Sequence, residues 1–116
     1  MTVSPREIGE RFLTAWSRND MNEATQYLAP DIAFHSPQIA LTGIDTVSQA
    51  LAEFAAVVES ITIISLIGDA DRVMAMYDMH TTAFGTIRAA ETYVIAGGLI
   101  HTDYLVFDTA ALAPGQ

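Results

Sequence analysis

Residues 91–107 read Glu-Thr-Tyr-Val-Ile-Ala-Gly-Gly-Leu-Ile-His-Thr-Asp-Tyr-Leu-Val-Phe. β-Branched and aromatic residues flank a Gly-Gly pair, the pattern of two strands joined by a tight turn. Glu91, His101 and Asp103 lie within those strands, where a pleated sheet ordinarily places apolar or neutral polar side chains. Chemistry is expected there. Alternation puts Glu91 on one face with Ile87, Tyr93 and Ile95, and Asp103 on one face with His101, Leu105 and Phe107. Two registers are open. A three-residue turn, Ala96-Gly97-Gly98, pairs Ile95 with Leu99, Tyr93 with His101 and Glu91 with Asp103, whereas a two-residue Gly-Gly turn sets Glu91 opposite Tyr104. The first is preferred because it gathers both apolar groups on one face. In that register the two carboxyl groups are expected to titrate as a coupled pair, one holding its proton above the ordinary carboxyl value.

Upstream, the apolar period is two from Ile61 onward: a strand over 61–67, a turn at Gly68-Asp69-Ala70-Asp71, a strand over 72–83, a turn at Phe84-Gly85 and a strand over 87–95. Before residue 60 the period is helical. Ser4-Pro5-Arg6-Glu7 is a capping box followed by Ile8, Phe12, Leu13 and Trp16, so a helix is expected over about 5–18. Asp20-Met21-Asn22-Glu23 opens a short second helix that stops before Pro30, and residues 31–36 form a short strand ended by Pro37. Gly43 punctuates a loop, after which Ile44, Val47, Leu51, Phe54 and Val58 mark a third helix to about Glu59. The tail from Ala110 is expected to be loose. The order ααβαββββ is that of an α+β domain, helices on one side of a curved antiparallel sheet.

The chain has 116 residues, enough for one domain, 1–116, with a real core. No apolar run reaches the 18 or so residues that span a bilayer, so no membrane partner is expected. The N-terminus shows no basic region followed by an apolar stretch, and with no cysteine the expected location is cytoplasmic. Fourteen acids stand against five bases, all arginine, for a net charge of -9. Such a chain repels phosphate backbones, and nucleic acid is an unsuitable partner. The absence of lysine excludes a side-chain Schiff base, and the absence of cysteine excludes a thiolate nucleophile or zinc-thiolate centre. Phosphate-loop, dinucleotide-binding and His-Glu-x-x-His patterns are absent as well.

Asp78 and His80, two apart on one strand, read either as a catalytic dyad or as an exposed polar patch or dimer surface. Met74 and Met76, on the same face, suit an adaptable homodimer interface through the sheet. Apolar residues on both faces of several strands, which one helical layer cannot cover, point the same way. His35 precedes Ser36-Pro37 at a strand end, and alternation turns Phe34 and Ser36 inward instead. The three histidines stand on different strands with no spacing that forces them together, so no metal site is expected.

The order of elements, the segment Phe12-Leu13-Thr14-Ala15-Trp16-Ser17-Arg18-Asn19-Asp20, the segment Phe34-His35-Ser36-Pro37 with Gly43, and the ending Gly98-Leu99-Ile100 with Phe107-Asp108 resemble the NTF2-like superfamily. Within it the chain is most similar to the SnoaL-like branch, beside polyketide cyclases, ketosteroid isomerase and limonene epoxide hydrolase. The resemblance implies a cone-shaped fold that hosts isomerases, cyclases, hydrolases, dehydratases and binding modules. Where the isomerase carries its oxyanion-hole tyrosine this chain has Phe12, and where it carries its aspartate base before a proline this chain has Ser36. Steroid isomerisation by that route is therefore not expected. The isomerase's second oxyanion-hole acid aligns with Glu91. The aspartate that the hydrolase and the cyclases use on the last strand falls near Leu105, two residues beyond Asp103. The hydrolase's Arg-x-Asp falls near Tyr77 and Met79, so the epoxide-opening set is altered.

Together these readings predict a small-molecule enzyme of isomerase, cyclase or lyase type, working by acid-base chemistry without a cofactor. Glu91 and Asp103 exchange protons, and Tyr77 or His101 supplies a hydrogen bond to a developing oxyanion. Phe12, Trp16, Phe34, Ser36, Met79, Tyr93 and Leu105 line the pocket. The alternative is a non-catalytic binding module that holds a small apolar ligand in the same cone.

Overall fold

The computed structural model describes residues 3–112. Ser4 accepts a hydrogen bond from the Glu7 amide and Pro5 takes the first helical position, so α1 (Pro5–Ser17) begins at the capping box. Ile8, Phe12, Leu13 and Trp16 form its buried stripe. Asp20 caps α2 (Met21–Ala24) by accepting from the Glu23 amide, and a 3₁₀ turn, Thr25–Tyr27, leads into β1 (Leu28–His35). That strand begins earlier than the sequence suggested. Pro30 is tolerated inside it because the pairing register shifts between Leu28 and Ala33, where a missing N–H disrupts no regular ladder.

A three-residue strand that the sequence reading took for loop, β2 (Ala40–Thr42), folds back on β1. Then follow α3 (Ile44–Ala55), β3 (Val58–Gly68), β4 (Arg72–Thr81), β5 (Gly85–Ala96), β6 (Leu99–Phe107) and a final 3₁₀ turn, Thr109–Leu112. The third helix stops at Ala55 because Val58 is already committed to the sheet. Part of the tail expected to be loose is thus helical; residues 113–116 lie outside the described residues.

The six strands run in the order β2-β1-β6-β5-β4-β3. Four of the five pairings are antiparallel, and β1 runs parallel to β6. The sheet is therefore mixed, where a wholly antiparallel one was expected: β1 and β6 meet from opposite ends of the chain, so no turn between them dictates direction. α1 and α3 cover one face, giving an α+β fold with its core between helices and sheet.

Gly9 sets the spacing of α1 on the sheet. A Cβ there would lie 2.9 Å from Val73 Cγ1 and 3.3 Å from Tyr93 Cδ2, closer than packed side chains tolerate. With the helix drawn down at that point, Phe12 packs edge-on against Tyr93, ring centroids 5.6 Å apart.

The β5–β6 hairpin corrects the preferred register. Gly97 and Gly98 both have positive φ, 59° and 79°, as a two-residue primed turn requires, and Ala96 pairs with Leu99. One step on, the ladder slips: Ile95 pairs with Ile100 but Val94 with Thr102, leaving His101 as the extra residue of a β-bulge. The slip sets Tyr93 opposite Asp103 and Glu91 opposite Leu105. Neither register open to strict alternation describes the whole hairpin, because alternation assumes a uniform ladder.

Candidate functional site

The inward face of β4, β5 and β6 carries the site. Tyr77, Glu91, Tyr93 and Asp103 are respectively 1%, 5%, 0% and 1% exposed. Small neighbours make room for them, since Tyr77 pairs with Ala89 and Glu91 with Ala75. Asp103 is flanked by Tyr93 on one side and Phe34 on the other. In this register Glu91 and Asp103 are diagonal neighbours, still within reach for side chains of this length.

Tyr77 donates a hydrogen bond from its hydroxyl to Glu91 Oε1 at 2.6 Å. Burial, the adjacent Glu91 carboxylate and this bond push the Tyr77 phenol well above its usual value. Asp103 is likewise held well above the usual carboxyl range, first by burial and then by the charge of Glu91, to which its protonated form can donate. One of its oxygens, Oδ1, is buried without a partner. Tyr93 is raised by burial and by the charges of Glu91 and Asp103. Its hydroxyl stands near Glu91 but makes no well-formed hydrogen bond there, and it too is buried and unpartnered. No basic residue stands among these four side chains.

A cavity of about 170 Å³ opens in front of Glu91. Of the residues assigned to a pocket from sequence, Phe12, Trp16, Phe34, Ser36, Met79 and Leu105 line it, with Tyr77 and Glu91 at its polar end. Tyr93 does not, because the ring of Phe12 packs on it. Asp103 lies behind Glu91 and does not reach the cavity wall. Phe54, Phe107, Leu112 and Ile39 also line it and were not singled out from sequence. The helical period of α3 pointed to Phe54 as apolar but not to a cavity, and Leu112, beyond the last strand, carried no signal. Trp16 Nε1 donates to the Leu51 carbonyl at 2.9 Å, which fixes the indole in the wall.

His101 stands apart. As the bulged residue it leaves the face of Asp103; its Nε2 lies 3.2 Å from the Ala96 carbonyl oxygen and its Nδ1 3.7 Å from Asp31. It is no donor to anything in the cavity, which corrects the face assigned to it from alternation. His35 stacks on Tyr104 on the outer surface, centroids 5.0 Å apart. His80 sits between Thr62 Oγ1 at 2.8 Å and Thr86 Oγ1 at 3.2 Å. Asp78 receives both Nε and Nη2 of Arg88, at 2.8 and 3.0 Å, and these bonds hold its carboxyl below the usual range. Asp78 and His80 therefore belong to the outer face. Among the described residues no group of three His, Asp or Glu side chains is arranged to hold a metal ion. No helix of the described residues is long and apolar enough to cross a membrane.

Comparison with solved structures places this architecture. A crystal structure from Kribbella flavida DSM 17836 is similar at a TM-score of 0.91 and 23% identity, over 96% of this chain and 92% of that one. An NTF2-like protein of unknown function from Cytophaga hutchinsonii ATCC 33406 matches at 0.84 and 18% identity, over 97% and 96%. An LEH-like epoxide hydrolase of M. tuberculosis matches at 0.75 and 16%, over 90% and 82%. At these identities the likeness is one of fold. No curated protein matches this sequence. The model of the SnoaL-like domain matches residues 9–102, from the first helix through the bulge of the last strand, and the chain belongs to that family.

Proposed function

We propose that the protein is a small-molecule enzyme that moves a proton with Glu91, an isomerase, cyclase or lyase needing no cofactor. The observation that carries this reading is a buried carboxylate at the polar end of an otherwise apolar cavity, with its own donor and a second carboxyl beside it. In this scheme Glu91 accepts a proton from a substrate atom held in the cavity and returns it to another. Tyr77 orients the carboxylate through its 2.6 Å hydrogen bond. Asp103, whose carboxyl is raised by burial and by the Glu91 charge, stands beside the base and disfavours a second negative charge there. Asp103 acts through Glu91 and is a positioning residue here; Tyr93 and His101 have no direct part.

The second reading is a binding module for a small apolar ligand, favoured by a wall that is apolar apart from Tyr77, Glu91, Ser36 and Gln38. Proton exchange separates the two. Small ketones, enones and amino ketones incubated in D₂O with the protein should gain carbon-bound deuterium, and Glu91→Gln should stop it. Ligands that bind yet exchange no faster than in buffer would assign the protein to the second reading.

The proposed partner is a second copy of the chain. Ile67, Met74, Tyr104 and Val106 share the outer sheet face, Met74 61% and Val106 57% exposed, an apolar strip that no helix covers. Light scattering at micromolar concentration should give twice the chain mass; a monomer would remove the proposal. A cysteine-free chain with this acidic balance is consistent with the cytoplasm, which we propose as its location.

A further inference from the structure

The cavity has an unusual balance of hydrogen-bonding groups. Its two strongest donors are spent within the wall, the Tyr77 hydroxyl on Glu91 and the Trp16 N–H on the Leu51 carbonyl. Ser36 is engaged in its own turn, where its hydroxyl accepts from the Gln38 and Ile39 amides. Among the described residues that line it, only Gln38, exposed at the mouth, keeps an uncommitted side-chain amide. The acceptor side is the reverse, since Glu91 presents a carboxyl group and, among the described residues, no arginine or histidine lines the cavity beside it. The same cavity is lined by the rings of Phe12, Trp16, Phe34, Phe54, Tyr77 and Phe107. Aromatic faces carry partial negative charge and attract cations, most strongly where water is excluded. An anionic guest would find almost nothing to donate to it.

We infer that the cavity recognises a small organic cation, an amine or ammonium group carried on a compact apolar body. The inference takes the cavity of the proposed function as its site and adds the charge of the substrate. Size fits a guest of a single ring or a short branched chain, because an apolar cavity of about 150 Å³ takes up benzene. Methyl groups on the nitrogen spread its charge and weaken its hydration, so that it enters an apolar enclosure at low cost and meets the rings and Glu91 together. The chain as a whole favours the same ligand: at a net charge of -9, with no lysine, its field draws cations inward and turns anions away.

The test compares choline with 3,3-dimethyl-1-butanol, the neutral molecule of the same shape, by calorimetry on the full-length protein at pH 7. Choline should bind about tenfold or more tightly than the alcohol. Glu91→Gln should erase that preference, and Phe54→Leu, at a half-buried wall position, should weaken choline severalfold more than the alcohol. Equal or tighter binding of the alcohol overturns the inference, as does failure of both probes to bind at about 10 mM, where even weak apolar sites fill. Cation preference without Glu91-dependent deuterium exchange would keep the inference and end the enzymatic reading. Exchange on neutral ketones without cation preference would do the opposite.

Discussion

Two acid-bearing clusters sit back to back on the same strands. On the outer face Asp78 of β4 is gripped at two points by Arg88 of β5, in contact with water. On the inner face Asp103 of β6 meets Glu91 of β5, with no base beside them and the rings of Tyr93 and Phe34 around them. The same residue type is driven in opposite directions. Asp78 is held below the ordinary carboxyl value by its bonds to Arg88, and Asp103 well above it by burial and by the Glu91 charge. Parity on a strand thus decides whether an acid is a surface counter-ion or is buried where its charged form is disfavoured. Asp78 is one residue from the buried Tyr77, and that single step separates the two environments.

The largest effect expected from breaking the inner cluster is on proton transfer. Glu91→Gln should lower deuterium exchange by about 10²- to 10⁴-fold, the usual contribution of a positioned general base. Asp78→Asn should alter it by less than about twofold, within the small range typical of a surface change. Equal losses from both would show that the two faces are not functionally separate.

Stability distinguishes the two inner phenols. Tyr77→Phe removes a buried hydrogen bond to a charged acceptor and should destabilise by about 1.5–3 kcal/mol in urea unfolding. Tyr93→Phe removes a hydroxyl that is buried without a partner, so it should be neutral or stabilising. A matching loss at Tyr93 would mean that its hydroxyl is bonded in solution.

Asp103 and Asp78 should give opposite pH signatures. The folded value of Asp103 is raised, so its contribution to stability is fully present below the unfolded carboxyl value of about 4 and is lost as pH rises through the folded value. Asp103→Asn should therefore gain stability relative to the parent as pH is raised from 4 to 7, by up to about 1.4 kcal/mol for each unit by which the pKa is displaced. A parallel pair of stability curves over that interval would contradict the proton-retaining role. The folded value of Asp78 is lowered, so its contribution is present above about pH 4 and is lost as pH falls through the folded value. This is the smallest effect, because the pair is solvated on one side: at pH 7 Asp78→Asn should leave the urea midpoint nearly where it was.

Much of the fold was legible from local signals. The capping box at Ser4 to Glu7, the helical spacing from Ile8 to Trp16 and the period of two after residue 60 each act over a few residues, and the corresponding elements stand where they were expected. The three-residue β2 was not legible, since Ala40–Thr42 has no periodicity and becomes a strand only by lying beside β1. In the site, the sequence marked Glu91 and Asp103 as acids out of place in strands, and both prove buried. It also set His101 on the face of Asp103, an assignment undone by one extra residue in the ladder.

The sequence by itself therefore determined the order of elements, the α+β class and the acids to watch, because propensity, capping and alternation are properties of neighbouring residues. The tertiary structure alone decided which acids are buried together, which rings line the cavity and where His101 points. Those outcomes depend on a glycine-turn register, a bulge and a parallel pairing of β1 with β6, contacts between residues too distant in the chain for any local pattern to encode.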